Sequence, residues 1–171
     1  MLSTEDYKTQ ILDEMVRKFE ANHNSLSDAY ALIWAIDVYA SLVWFQTGKR
    51  GKEPDFKDAI EEQCEAFGII RSASNAIKHI ERDKKIHVVI SMGDIQPQSG
   101  PSWHSFFANR GMSQGGVKIT MSWEYDSDSD EFKRGDGKPM VAPQNEWKTQ
   151  YLRNLYRPAI EAIEARLTEL Q

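Results

Sequence analysis

The segment Ala29–Phe45 reads AYALIWAIDVYASLVWF, and Asp37 is its single charged residue. Its 17 residues fall short of the roughly 20 that a membrane-spanning helix needs. Asp37 in the middle would also cost about 3 kcal/mol in a bilayer. The segment therefore predicts a buried core helix that is apolar on most sides and surrounded by other helices, with no membrane contact.

The composition is that of a globular protein of one domain, residues 1–171, with 40% hydrophobic residues and five Trp. A lone cysteine, Cys64, excludes an intramolecular disulfide and a four-cysteine zinc site, and it favours a reducing, cytoplasmic location. The net charge of −5 argues against broad binding to nucleic acids or anionic membranes, but it allows a local basic pocket. The first residues lack the pattern of a signal peptide.

Capping signals predict where the first two helices begin. Ser3 with Asp6 three residues later fits a capping box, which predicts a helix from about Thr4 to Glu20. Ser25 with Asp28 forms a second such box ahead of the apolar segment. The sequence therefore predicts two consecutive helices joined by a short turn.

Two longer helical segments follow. Asp55 is a good N-cap for a third helix that would continue to about Arg82, with a bend at Gly68. Apolar residues at helical spacing predict a last helix over Asn145–Leu170. Pro158 predicts that this segment is either kinked or divided into two helices.

Between these helices the periodicity changes to that of strands. The β-branched run 86–91 and the alternating run 117–125 predict two strands, and a third is expected near 131–133 or 139–142. Residues 92–116 predict a long loop. The sequence thus predicts a mainly α fold: a four- to five-helix bundle with an antiparallel β-hairpin or three-stranded insertion, at about 86–142, before the C-terminal helix.

Polar residues on the third helix are candidates for binding an anion. At about 100° per residue, one arc of roughly 100° collects the set called here the basic stripe: Arg71, Asn75, Lys78, His79 and Arg82. Arginine and lysine bind phosphate oxygens, and a histidine can transfer a proton near neutral pH. An ordinary solvent-facing helix surface has a similar composition, so both interpretations stay open.

The stretch Arg71-Ser-Ala-Ser-Asn75-Ala-Ile-Lys78-His79 resembles the signature helix of HEPN-type domains. It is also similar to small uncharacterised bacterial proteins that carry an Asn-Ala-x-Lys-His motif. The resemblance implies a helical bundle, often a homodimer, that cleaves RNA without a metal or binds RNA or a nucleotide, with a role in bacterial defence. Seven residues separate Arg71 from His79, whereas the family spacing is four to six.

The resemblance also implies roles for single residues. His79 would be the general acid and base, and Arg71, or Lys78 in its place, would stabilise the developing phosphorane charge. Asp37 would fix the tautomer of His79 if it reaches the ring. The alternative for Asp37 is a buried carboxylate satisfied by a Tyr, Trp or Arg.

Other segments favour other functions or none. The aromatic residues of the long loop, Trp103, Phe106 and Phe107, would suit a non-catalytic module that binds a protein partner. A structural homodimer that pairs apolar helix faces is a third hypothesis. The acidic run 126–131 lacks the Gly and the bidentate Glu of a calcium loop, so it predicts a hairpin tip. No local motif predicts a metal or cofactor site.

Overall fold

The structure is a computed structural model. It describes residues 3–48, 51–78, 92–98, 115–122, 124–126, 131–133, 139–140 and 147–170.

Five helices form the larger part of this described portion. The first helix, α1, is continuous over residues 4–21 and contains one π-helical turn, Lys8–Leu12. The others are α2 (Leu26–Gln46), α3 (Glu53–Gln63), α4 (Glu65–Lys78) and α5 (Leu152–Leu170). The predicted mainly helical bundle with antiparallel strands before the last helix is confirmed.

The predicted starts of the first two helices are confirmed by hydrogen bonds, whereas the predicted N-cap Asp55 lies inside the third helix, which begins at Glu53. Ser3 Oγ accepts from the amide of Asp6 at 3.0 Å, and the Asp6 carboxylate accepts from the amide of Ser3 at 3.3 Å. Ser25 Oγ accepts from the amide of Asp28 at 3.3 Å. These side chains bind amides of the first turn, which have no partner inside the helix.

The predicted third helix, from about Asp55 to Arg82, is described as far as Lys78 and consists of two helices there; the prediction of a bend at Gly68 was wrong. The break lies at Cys64, which is extended with φ −141° and ψ 99°. The first of the two helices begins at Glu53 because Pro54 fits the first turn, where no amide donor is needed. Gly68 lies within α4, where a Cβ would meet Cγ of Glu61 at 2.7 Å. The glycine therefore allows Glu61 to pack against α4.

The strands form two antiparallel sheets. The first has the order β1 (Ile95–Gln98), β2 (Gly116–Ser122), β6 (Trp147–Tyr151), and the second pairs β3 (Glu124–Asp126), β4 (Glu131–Lys133) and β5 (Pro139–Met140) in that order. The predicted strand over 117–125 is thus present as two strands, and both expected positions of a third strand carry one. The predicted strand at 86–91 lies outside the described residues.

Two sequence predictions near the first sheet were wrong. The predicted loop 92–116 begins with a 3₁₀ turn, Met92–Asp94, followed by β1, and Trp147–Tyr151 is a strand rather than the start of the last helix. Trp147 and Tyr151 are four residues apart, a spacing that suits one face of a helix or of a strand. Because residues 147–151 pair with β2, they form a strand. Pro158 does not divide the last helix, because α5 is a single helix through it.

The core lies between α2, the other helices and one face of the first sheet. Val117, Ile119 and Met121 of β2 are buried, as is Ile95 of β1. One side of α2 carries nine buried residues, whereas Trp34 on the other side is 54% exposed. The prediction that other helices surround α2 therefore fails for one face.

By length and composition, α2 alone among the described helices could cross a membrane. Half of its most apolar window is buried inside the molecule. A core helix meets the same criteria, so this finding is weak evidence for a membrane span.

The start of β2 packs closely against neighbouring backbone. The amide of Val117 donates to the carbonyl of His23 at 2.8 Å, which fixes the sheet to the α1–α2 turn. A Cβ on Gly115 would collide with the carbonyl oxygen of Gln98, whereas a Cβ on Gly116 would find its nearest neighbour at 3.6 Å. Only the first of these adjacent glycines is required by close approach.

We therefore expect Gly115→Ala to lower the free energy of unfolding by roughly 2 kcal/mol, because backbone must move to admit the methyl group. Gly116→Ala is the matched control and should change it much less. Urea unfolding followed by circular dichroism measures both variants. Equal stability of the two would contradict the described packing.

Candidate anion-binding site

The basic stripe is only partly within the described residues. Arg71, Asn75 and Lys78 lie on α4, and His79 and Arg82 lie outside the described portion. The three that are described do not converge. Arg71 contacts α3, whereas Lys78 contacts α2.

Asp37 is the residue around which this part of the bundle is arranged. It is 3% exposed on the inner side of α2. Lys57 Nζ donates to its Oδ1 at 2.7 Å, and Oδ2 accepts from Ser74 Oγ at 3.0 Å and from Lys78 Nζ at 2.5 Å. One buried carboxylate therefore joins α2 to α3 and α4.

A second carboxylate extends the network towards the surface. Glu53 lies 3.1 Å from Lys57 Nζ, and it accepts from Ser41 Oγ at 2.6 Å. Its side chain is 37% exposed. Two carboxylates and two ammonium groups thus alternate from Glu53 through Lys57 and Asp37 to Lys78, and their formal charges cancel.

The electrostatic balance favours the ionised form of Asp37. Burial raises the pKa of its carboxyl, but the charges and hydrogen bonds of Lys57 and Lys78 lower it by more. The net result is a pKa below the ordinary value. Burial, with the charge of Asp37 as a smaller cause, also raises the pKa of Tyr7 to about 12. Asp37 is therefore a paired anion at neutral pH.

Arg71 is held by two carboxylates of α3. Its Nη1 donates to Asp58 at 2.6 Å and to Glu61 at 3.1 Å. The side chain is largely buried, and these acids compensate its charge. The prediction that Arg71 joins a shared anion pocket with Lys78 finds no support in this geometry.

Lys78 differs from Arg71 because Asp37 holds its ammonium in place while part of its side chain stays exposed to solvent. Its side chain is 35% exposed, and Asp37 is its hydrogen-bond partner. An ammonium has three donors, so two remain for a ligand or water. Asn75 is half-buried one turn earlier on the same edge of α4. An anion at the end of α4 could contact Lys78 without disturbing the other partners of Asp37.

Sequence reasoning found Asp37 and Lys78 but not the groups between them. Lys57 was overlooked, although its spacing from Glu53 is that of an ion pair on one helix face. The expected partners of a buried Asp37 were a Tyr, Trp or Arg, whereas they are Lys57, Lys78 and Ser74.

The structure describes only parts of the other candidate sites. Within the parts that the structure describes, no group of three or more His, Cys, Asp and Glu could hold a metal ion. The aromatic residues of the long loop, Trp103, Phe106 and Phe107, lie outside them. The acidic run spans two paired strands, with Asp126 opposite Glu131. That pairing agrees with the predicted hairpin.

We expect Lys57→Met to lower the free energy of unfolding by roughly 3 kcal/mol, because it leaves Asp37 buried with one ammonium fewer. Arg17→Ala is the control: it removes an exposed cation from its pair with Glu14 and should leave stability unchanged. Urea unfolding at pH 7 measures both. A Lys57→Met protein as stable as the wild type would contradict the assigned burial.

The lowered pKa of Asp37 also predicts how stability depends on pH. A folded-state pKa below the ordinary 3.8 adds stability at higher pH, and this stability is lost as the pH falls below 3.8 towards the folded-state value. The stability difference between wild type and Asp37→Asn should therefore be constant from pH 5 to pH 7 and shrink below about pH 4. Urea unfolding of both proteins across this range measures it, and a difference that grows on acidification would contradict the assignment.

No protein-family model, curated protein or solved structure matches this chain.

Proposed function

We propose that this protein binds a phosphate group of RNA or of a nucleotide at the C-terminal end of α4, as the HEPN resemblance implies. The observation that carries the proposal is the partly exposed Lys78 side chain, whose ammonium the buried Asp37 carboxylate holds in place. His79 follows Lys78 directly in the sequence. An ammonium and an imidazole are thus adjacent in the chain at this end of the helix.

The contact to Asp37 prepares Lys78 for binding. A free lysine side chain loses up to about 2 kcal/mol of rotamer freedom when a ligand immobilises it. The bond from Lys78 to Asp37 already restricts that freedom in the unbound protein. Ser74 and Lys57 hold the carboxylate from its other sides. Lys78 can therefore donate to a phosphate at a smaller entropic cost.

The charges of the network favour a local contact over general attraction. Glu53, Lys57, Asp37 and Lys78 together carry no net charge, and the whole protein is acidic. The affinity for a phosphate would then come from the hydrogen-bond donors of Lys78 and of its neighbours in the sequence. For single-stranded RNA, one phosphate contact gives a salt slope of only about −0.7.

The roles implied by the resemblance change in one respect. The phosphate contact passes from Arg71 to Lys78, because carboxylates already occupy Arg71. His79 remains the proposed general acid and base, with Arg82 as a further phosphate ligand. We assign Asp37 as a positioning residue that acts through Lys78. Cleavage of RNA in the cytoplasm of a bacterium, as part of defence, is the biological setting that the resemblance implies.

A non-catalytic interaction module is the second proposal, and one observation favours it. Trp34 is 54% exposed on a helix that otherwise forms the core. A large aromatic side chain in this position is typical of a binding surface.

We expect Lys78→Ala to raise the dissociation constant for a fluorescein-labelled 12-nucleotide single-stranded RNA roughly tenfold, the loss of one charge-assisted hydrogen bond. Asp37 keeps Lys57 and Ser74 in this variant, so the fold should survive. Fluorescence anisotropy at 50 mM salt measures the binding, and circular dichroism checks the fold.

Arg71→Ala is the matched control. It also removes a cation from α4, but Arg71 has no role in the proposed binding. It should change the dissociation constant less than about twofold. A parallel titration with ATP distinguishes a nucleotide from RNA as the ligand. If the RNA is cleaved, His79→Ala should abolish the cleavage. A wild-type protein that binds neither probe, or a Lys78→Ala protein that binds as well as wild type, would refute the proposal.

A further inference from the structure

One face of α2 points away from the core and carries no charge. Nine residues on the opposite side of the helix are buried. At about 100° per residue, an arc of roughly 120° remains on the outside. The apolar residues in this arc are called here the outer α2 face: Tyr30, Ala31, Trp34, Val38, Leu42 and Phe45. Trp34 is 54% exposed, Phe45 is 39% exposed, and the other four are half-buried.

This composition is unusual for a solvent-facing helix. The outward side of α5, by comparison, carries Arg157, Glu161 and Glu164. Solubility alone would place such charged residues on any exposed helix. An uncharged face with a half-exposed Trp over about four helical turns instead indicates a surface that another molecule covers.

We propose that the outer α2 face binds the same face of a second copy of this chain, with the two helices antiparallel about a twofold axis beside Val38. This inference does not rest on the proposed binding of RNA. A surface that pairs with itself about a twofold axis forms a closed dimer without leaving a further copy of it exposed.

The charges at the two ends of the helix support an antiparallel copy as the partner. Asp28 lies in the first turn of α2, about 15 Å from Val38 along the axis. The sequence after the helix contains Lys49, Arg50 and Lys52, of which the structure describes Lys52 as exposed. A twofold axis at Val38 places Asp28 of one helix opposite position 48 of the other chain, four residues before Lys52. The two helix dipoles also oppose each other in this arrangement, which is favourable.

The exposed aromatic area is large enough to centre an interface but not to complete one. At their exposed fractions, Trp34 and Phe45 offer roughly 200 Å² per copy. A stable interface buries about 800 Å² per partner, so flanking residues must contribute the polar rim. Aromatic residues at the centre of a polar rim are the common arrangement in protein interfaces. Because the exposed aromatic area is small, the dimer should dissociate on dilution.

A lipid bilayer fits the observations less well than a second copy. Interfacial helices carry basic residues along their polar side, whereas the other side of α2 is buried in the core around Asp37. The protein has a net charge of −5, which disfavours approach to anionic lipids.

Sedimentation velocity across a dilution series of the full chain tests the proposal. We expect a concentration-dependent dimer in the wild type, and Trp34→Glu should raise the dissociation constant more than about tenfold. Met92→Glu is the matched control, because Met92 is 52% exposed on the 3₁₀ turn before β1. It should leave the dimer unchanged. Circular dichroism confirms that each variant is folded.

Cross-linking tests the position of the axis independently. In a Cys64→Ser background, Val38→Cys places one thiol beside the proposed axis, where it meets the thiol of the second copy. Mild oxidation should then give a disulfide-linked dimer. Gln63→Cys, at an exposed position on α3, should give none under the same conditions.

Results of three kinds would overturn the proposal. The first is a wild-type protein that stays monomeric at high concentration. The second is a dimer that survives Trp34→Glu or fails to cross-link through Val38→Cys. The third is a monomer that floats with phosphatidylcholine–phosphatidylserine vesicles and loses this binding in Trp34→Glu, which would make the face a membrane surface.

Discussion

The ion-pair network of Asp37 is the constraint on which the arrangement of the bundle depends. A carboxylate that is 3% exposed is tolerated only if its charge is paired and its oxygens accept hydrogen bonds. Lys57, Ser74 and Lys78 meet this requirement, and they come from the two helices beside α2. An apolar helix could otherwise rotate against its neighbours with a small change in buried area. The network fixes one orientation.

That orientation has consequences on both sides of α2. On the inner side it places Lys78 at the surface end of a fixed chain of charges, which creates the proposed phosphate contact. On the outer side it leaves Trp34, three residues before Asp37, in solvent. The proposed phosphate contact and the proposed dimer surface thus share one structural cause, although each can fail without the other. The proposed phosphate contact lies at the C-terminal end of α4, whereas the proposed dimer surface is the outer α2 face.

Local sequence signals predicted the local structure well. The caps at Ser3 and Ser25 and the alternation in β2 depend on neighbours within a few residues, so the sequence contains the information that decides them. The errors occurred where two local structures were equally compatible with the pattern. The break at Cys64 is one such case, and there α3 folds back against α4, where Asp58 and Glu61 bind Arg71. The strand Trp147–Tyr151 is the other, and pairing with β2 decided it.

The candidate site shows the same division. The sequence by itself determined a helical bundle with an antiparallel insertion, a single buried charge on its most apolar helix, and a set of basic residues on one helix edge. The tertiary structure alone decided that Arg71 turns to α3 while Lys78 turns to Asp37, and that one face of α2 stays open. The physical reason is that helical periodicity fixes which residues share a face, whereas charge pairing depends on residues from other helices that periodicity cannot place.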